Sequence, residues 1–156
     1  MNKLSITIAL FTTQLAAFAY ADAQSDLTSA VRAAIETAAP SVVRIETFGG
    51  LEKVGDVLVS SGPSTGLVLS EDGFVLCSAY SFAQQPTSVL VTLPSGKRAA
   101  AKVIARDESR MLVLLNVNSD EALTPPTLAR KSDMQVGQTA IALGRTFDAK
   151  TPNVSV

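Results

Sequence analysis

The most informative absence from this chain of 156 residues is histidine, of which there is none. Tryptophan is absent as well, and cysteine occurs only once, at Cys77. Imidazole is the usual proton acceptor near neutral pH and the commonest protein ligand of transition metals. One cysteine is too few for a thiolate metal cage or for an internal disulfide. We therefore expect no metal site, no cofactor and no histidine-dependent chemistry.

An excess of positive or negative charge is also lacking, since the formal net charge is −1 and only 17% of residues are charged. There is no basic stripe, and with two tyrosines and no tryptophan few rings could stack on bases. A nucleic-acid partner is therefore not expected. The apolar share of 47% is enough for a packed core, and the length suits a single domain.

Residues 1–21 have the pattern of a secretory signal peptide. Lys3 supplies the positive start, a mostly apolar stretch follows, and Ala19-Tyr20-Ala21 fits the small-x-small cleavage pattern. Ala21-Asp22-Ala23 is a second candidate cleavage site, and an uncleaved anchor is the alternative. The stretch is short and interrupted by polar residues, so we expect no stable membrane span after signal removal. The predicted location is secreted or periplasmic.

Residues 22–40 are predicted to hold one helix, running from Ser25 to Ala39. Ser25 can cap the helix and Pro40 ends it. Its apolar face is formed at helical spacing by Leu27, Val31, Ala34, Ile35 and Ala38. The next run, 41–48, alternates apolar and polar residues and is predicted to be a strand.

Two hairpins are indicated by turn residues between β-prone runs. In the first, Glu71-Asp72-Gly73 separates an apolar run at 67–69 from another at 74–77. In the second, Pro94-Ser95-Gly96 separates the runs 88–93 and 97–105.

The remaining runs complete the prediction of an all-β barrel. Residues 49–63 are predicted to be a loop. The nearly continuous apolar run Met111 to Val117 is predicted to be a strand buried on both faces. The last clear strand is expected at Thr139 to Leu143.

Several of these stretches together resemble the HtrA/Deg-type trypsin-like serine proteases. The first hairpin resembles the family's Gly-Phe-Ile-Ile-Ser-x-Asp-Gly and the strand that ends in Thr-Asn-Asn-His. The run 38–47, AAPSVVRIET, resembles the family's entry from helix to strand, and Gly144-Arg145-Thr146-Phe147 resembles Gly-Asn-Pro-Phe. The resemblance implies a single six-stranded trypsin-like barrel over 41–156, the first half of a two-barrel fold, with the second barrel missing.

The same resemblance places substitutions at the catalytic positions. Tyr80 stands at the position of the family's histidine, and Met111 stands where Asp precedes Leu-Ala-Leu-Leu. The family's serine would lie beyond residue 156. We therefore expect no active catalytic residue here, with Tyr80 a rim aromatic filling the histidine's space and Met111 a residue of a core strand.

Other candidates for chemistry are weaker. Cys77 is expected to be a small buried hydrophobic residue, because no histidine is available to activate its thiol. A Ser-Lys dyad through Lys97 or Lys102 is formally open, but neither lysine is expected to have a depressed pKa. The serines around Gly62 lack the Gly-x-Ser-Gly-Gly context and indicate a turn. Three carboxylate pairs are expected to lie in solvated turns, namely Glu71-Asp72, Asp107-Glu108 and Asp120-Glu121.

Three hypotheses of function follow. The first is a secreted, degenerate trypsin-like domain that is not proteolytic and binds peptides or proteins. Self-association through the barrel face that a second barrel would cover is part of that expectation. The second is a serine endopeptidase whose second barrel and nucleophile lie outside this chain. The third is a structural β-barrel adaptor unrelated to proteases.

Overall fold

A computed structural model describes residues 26–49, 62–83, 85–148 and 150–156, together with the backbone of 52–54 and 57–59. The predicted signal peptide and both candidate cleavage sites lie outside the described residues. The predicted helix is present as α1 over residues 26–38, followed by a 3-10 turn at Ala39–Ser41. The chain divides into two units, the second beginning at Ile35 within this helix. No helix in the described ranges is long and apolar enough to span a bilayer.

Six strands close into an antiparallel barrel, as the resemblance implies. Its order is β1-β4-β5-β8-β7-β6, and every neighbouring pair is antiparallel. The barrel strands are β1 (Val42–Phe48), β4 (Ser64–Val68), β5 (Phe74–Ser78), β6 (Ser88–Thr92), β7 (Arg98–Asp107) and β8 (Leu112–Val117).

Both predicted hairpins are confirmed, and glycine sets the turn in each. Gly73 has a φ of +96° and Gly96 a φ of +88°, in the left-handed region that glycine adopts without strain. The first turn closes with a hydrogen bond from the Leu69 N–H to the Phe74 carbonyl at 2.8 Å. The second closes from the Leu93 N–H to the Lys97 carbonyl, also at 2.8 Å.

The core lies inside the barrel and is built from alternate residues of the strands. On β8, Val113, Leu115 and Val117 are buried, whereas the residues between them are only partly covered. The prediction that this run is buried on both faces is therefore wrong. A closed barrel has one packed interior, and its outer face stays accessible even where the sequence is apolar throughout. The buried cluster also includes Val43, Ile45, Val68, Val75, Phe82, Val91 and Leu93.

Two short hairpins lie outside the barrel and correct the predictions for their segments. The predicted loop at 49–63 contains β2 (Glu52–Val54) paired with β3 (Val57–Val59). The strand expected at 139–143 is shorter and shifted, as β9 (Ala142–Gly144). It pairs with β10 (Asn153–Ser155), and only three residues of each strand are in register, so the pairing limits its length.

The packing inside the barrel predicts the effect of filling one glycine. A Cβ at Gly66 would lie 2.6 Å from Ile45 Cδ1 and 2.7 Å from Val75 Cγ1. We expect Gly66→Ala to reduce the free energy of unfolding by about 1–3 kcal/mol, because the core must shift to accept the methyl group. Urea unfolding measures the change. The control is Gly62→Ala, where no atom lies within 4 Å of the added Cβ; equal stability of the two variants would contradict the packing described here.

Candidate functional site

The position of Tyr80 is set by a 3-10 turn, Ala79–Phe82, that follows directly from β5. The turn begins with the Tyr80 N–H donating to Ser78 Oγ at 3.3 Å. Ala79 and Phe82 are buried, and they anchor the turn in the barrel core. Tyr80 itself is 78% exposed. It therefore stands at the rim of the barrel, with its ring largely in solvent.

Met111 lies in the tight turn between β7 and β8, immediately before β8 begins. Its φ is +54°, a left-handed conformation that is uncommon for a residue other than glycine, and it is 49% exposed. The expectation that Met111 is a core strand residue is therefore wrong. The apolar run begins one residue before β8, and the chain reverses direction at that residue, so Met111 lies in the turn and not in the strand.

The pairing of β5 with β8 brings these two positions to the same end of the barrel. Ser78 is opposite Leu112 in the register, and the Ala79 N–H donates to the Met111 carbonyl at 2.9 Å. Met111 thus supplies the acceptor of this backbone hydrogen bond, and Tyr80 directly follows the residue that supplies its donor. The arrangement offers a phenol and a thioether, neither of which is a proton acceptor near neutral pH.

A nearby carboxylate, that of Asp107, is hydrogen-bonded within the turn that contains Met111. It accepts hydrogen bonds from Ser109 Oγ at 2.6 Å, from the Arg110 N–H at 3.0 Å and from Arg110 Nη1 at 2.7 Å. These bonds, that of the Ser109 hydroxyl first, lower the pKa of Asp107 below its ordinary value of 3.8. An anionic side chain bonded within its own turn serves to shape the backbone that presents Met111.

The other two carboxylate pairs meet at one cavity, which the sequence analysis did not anticipate. Glu121 accepts from Ser95 Oγ at 2.6 Å and pairs with Lys97 Nζ at 3.0 Å, and these contacts lower its pKa. No group of three or more histidine, cysteine or acidic side chains in the described ranges is arranged to hold a metal ion. The cavity, of about 180 Å³, is lined by Glu71, Asp72, Gly73, Val117, Ser119, Asp120, Glu121, Ala122 and Leu123.

Cys77 is buried on β5, as predicted. Its Sγ donates to the Val113 carbonyl at 3.5 Å, across the β5–β8 pairing. Burial raises the pKa of the thiol to about 12. A neutral thiol in the barrel interior is a packing group and not a nucleophile.

One buried charged residue was missed by the sequence analysis. Arg145 is only 3% exposed, and burial lowers its pKa. Its Nη1 donates to the Lys150 carbonyl at 2.8 Å and its Nη2 to the Ala39 carbonyl at 3.1 Å. The Arg145 N–H donates to Thr65 Oγ1 at 2.9 Å, so this residue fixes the segment before β10 to the barrel. The signal was present in the sequence, as an arginine where the resembled motif has asparagine.

Comparison with known proteins agrees with this architecture. A sequence profile of the trypsin-like peptidase domain matches residues 64–155, a range that includes both Tyr80 and Met111. The chain belongs to the trypsin-like peptidase family. Its curated relatives within that family include HtrA serine proteases.

Three relatives show the extent of the similarity. Serine protease HTRA4 of Mus musculus is 33% identical over 117 residues, covering 75% of this chain and 24% of the relative. Serine protease HTRA2, mitochondrial, of Bos taurus is 33% identical over 114 residues, 72% of this chain and 24% of the relative. A probable periplasmic serine endoprotease DegP-like of Halomonas elongata is 28% identical over 148 residues, 72% of this chain and 31% of the relative. This chain therefore spans only a minor part of the length of these relatives.

The left-handed conformation at Met111 predicts opposite effects for two substitutions. Met111→Gly should leave stability unchanged or raise it, because the left-handed conformation costs an L-residue about 1–2 kcal/mol. Met111→Val should lower the free energy of unfolding, because a β-branched side chain is poorly tolerated at positive φ. Urea unfolding of both variants checks this. A valine variant at least as stable as the glycine variant would show that the turn does not have this conformation.

The bonds to Asp107 predict an acid-dependent loss of stability. The folded-state pKa of Asp107 lies below its ordinary value of 3.8, so its contribution is present above that pH and is lost as the pH falls through the folded value. We expect urea midpoints to fall less between about pH 6 and about pH 3 in Asp107→Asn than in the parent chain. Glu108→Gln removes a neighbouring exposed carboxylate and serves as the control. An identical pH dependence in Asp107→Asn and the parent chain would contradict the assignment.

Proposed function

We propose that this domain is a catalytically inactive member of the trypsin-like family, of HtrA/Deg type, which acts by binding peptides or proteins. The observation that carries the proposal is the pair of positions brought together by the hydrogen bond from Ala79 to Met111. By the family's motifs these positions belong to its histidine and aspartate, and here they are Tyr80 and Met111. The chain has no histidine at any other position that could replace the lost base.

The chemistry of the triad supports this proposal. A serine hydroxyl must lose its proton to a neighbouring base as it attacks, and an acid must hold that base in the correct tautomer. An ordinary phenol has a pKa of about 10, so only about 0.1% is ionised at pH 7. Loss of the base from a triad lowers turnover on the order of a million-fold. A serine supplied by another segment would therefore still lack its activating base at this rim.

Binding is supported by the exposed apolar side chains at the rim. Tyr80 is exposed although the other residues of its turn, Ala79, Ser81 and Phe82, are buried, and Met111 is exposed directly before the first residue of β8. Tyrosine presents a large apolar ring with a polar tip, the combination that is enriched at recognition surfaces, and methionine adapts its shape to different partners. An extended or unfolded polypeptide is the class of ligand that such a rim would accept. Self-association through an uncovered barrel face stays a prediction.

The place of action proposed is outside the cytoplasm, in the periplasm or beyond the cell. The support is the signal-like pattern of residues 1–21. A relative described as a probable periplasmic serine endoprotease is compatible with it.

A second candidate function is serine endopeptidase activity, favoured by the names of the relatives. It would require both the nucleophile and a base from outside this chain. The third hypothesis, a barrel unrelated to proteases, is set aside because the chain belongs to the trypsin-like family.

An assay on an unfolded protein separates binding from hydrolysis. The purified chain is mixed with fluorescently labelled reduced casein, and anisotropy is followed together with release of acid-soluble label. We expect a rise in anisotropy without hydrolysis, and weaker binding by Tyr80→Ala and Met111→Ala, because both remove exposed apolar surface at the rim.

Leu128→Ala is the matched control, since it removes an exposed aliphatic side chain that belongs to neither rim turn. Its affinity should equal that of the parent chain. Hydrolysis that a serine-directed inhibitor abolishes would contradict the proposed inactivity. Equal loss of affinity in all three variants, or no binding at all, would contradict the proposed binding rim.

A further inference from the structure

A long segment between the barrel and β9 is exposed without interruption. Every residue of 127–140 is exposed. The hydrogen bonds of this segment join residues no more than three positions apart, such as the Asp133 N–H to the Arg130 carbonyl at 2.9 Å and the Gln138 N–H to the Gln135 carbonyl at 3.3 Å. None of its described bonds ties it to a barrel strand. Local opening of residues 127–140 therefore leaves the barrel core intact.

Two adjacent basic residues, Arg130 and Lys131, occupy the middle of this segment. The Arg130 side chain is 83% exposed, and its ion pair with Asp133, at 3.3 Å, joins two exposed side chains. Exposed pairs of this kind contribute little to stability, so the guanidinium is easily withdrawn from Asp133.

Basic residues elsewhere in the described barrel are held differently. Arg98, Lys102 and Arg106 lie within β7 and share its backbone pairing. Arg110 has a side chain 74% exposed, but its backbone N–H and guanidinium are bound to Asp107 in a tight turn. A protease must draw several consecutive residues into its cleft as an extended chain, and exposed segments with few tertiary bonds permit this. Exposure alone does not distinguish Arg130 from Arg110. The turn of Arg110 directly joins the paired strands β7 and β8, whereas the 3-10 turn Lys131–Asp133 belongs to a segment with no described bond to a barrel strand.

We propose that Arg130-Lys131 is a site of limited proteolysis by an external endopeptidase with an acidic primary specificity pocket, and that the cleaved chain stays assembled. Cleavage breaks the C–N bond after Arg130 or Lys131 and adds one water molecule. The acyl carbon receives the hydroxyl and becomes a carboxylic acid, while the released nitrogen takes the other proton and becomes an amine. Near neutral pH the acid then gives its proton to the amine, which leaves a carboxylate and an ammonium group. No oxidant or other co-reactant is needed.

Contacts on both sides of the segment anchor its two ends to the barrel or to the segment that leads into it. On the N-terminal side Leu123 is buried in the barrel core. On the C-terminal side the Arg145 side chain donates to the Ala39 carbonyl, and its backbone N–H donates to Thr65 Oγ1. Arg44 Nη1 also donates to the Phe147 carbonyl at 3.3 Å. These bonds connect the piece that contains β9 and β10 to the barrel without passing through residues 127–140.

Limited digestion of the full chain with trypsin tests the proposal. Within residues 62–156 we expect the first cut after Arg130 or Lys131, identified by mass spectrometry of samples taken early in the digestion. The cut chain should elute as one species of unchanged size on gel filtration. It should separate into two pieces only in denaturant.

Two variants make the test specific. Arg130→Gln with Lys131→Gln should lose this cut while unfolding at the same urea concentration as the parent chain, since both side chains are exposed. Arg110→Gln, the matched control, should leave the cut unchanged. A first cut after any other lysine or arginine of residues 62–156 would overturn the assigned site, and release of the C-terminal piece without denaturant would overturn the assembled state.

Discussion

The antiparallel pairing of β5 with β8 is the constraint on which the rest of the structure depends. It closes one side of the barrel, buries Cys77 against the Val113 carbonyl and carries the pairing to the rim at Ser78 and Leu112. The next hydrogen bond, from Ala79 to Met111, joins two turns that are 32 positions apart in the chain. Because the register of a strand pair is fixed by which side chains face the core, these turns cannot move apart without exposing the core.

Charged side chains in this domain serve mainly to hold backbone segments in place. Asp107 is hydrogen-bonded within its own turn. Arg145 binds the segment before β10 to Thr65 of β4 and to the Ala39 carbonyl. On the outer surface Glu46 accepts from Arg44 Nη2 at 3.1 Å and from Arg98 Nη2 at 2.9 Å, which links β1 with β7. A catalytic site needs a charged group whose pKa is adjusted to its reaction and which remains accessible to a substrate. The groups with lowered pKa described here are instead bonded into turns and loops.

Much of the fold could be predicted from the sequence, because local chemistry determines it. Asp72-Gly73 and Ser95-Gly96 specify tight turns, and the runs beside them alternate or are apolar. The resemblance to the trypsin-like family then supplied the number of strands. The short hairpins formed by β2 with β3 and by β9 with β10 were missed or misplaced, because strands of three residues have no periodicity to detect.

The candidate site was predictable in its composition but not in its shape. The family's motifs identified Tyr80 and Met111, but the left-handed backbone at Met111 depends on how the β7–β8 turn is closed by Asp107. Burial of Arg145 depends on acceptors at Ala39 and Lys150, which are distant in sequence. Long-range contacts of this kind leave no local pattern, so the replacement of the motif's asparagine by Arg145 marked the position without predicting that its side chain is buried.

The most direct test of the account is amide hydrogen exchange at Ala79, measured by NMR together with contacts across the β5–β8 rim. If the Ala79 N–H donates to the Met111 carbonyl, it should be protected from exchange, with a cross-peak between Ala79 and Leu112 backbone protons. An Ala79 amide that exchanges as fast as in an unstructured peptide, without such a cross-peak, would contradict the shared rim. The proposed loss of catalysis would then lose its structural basis.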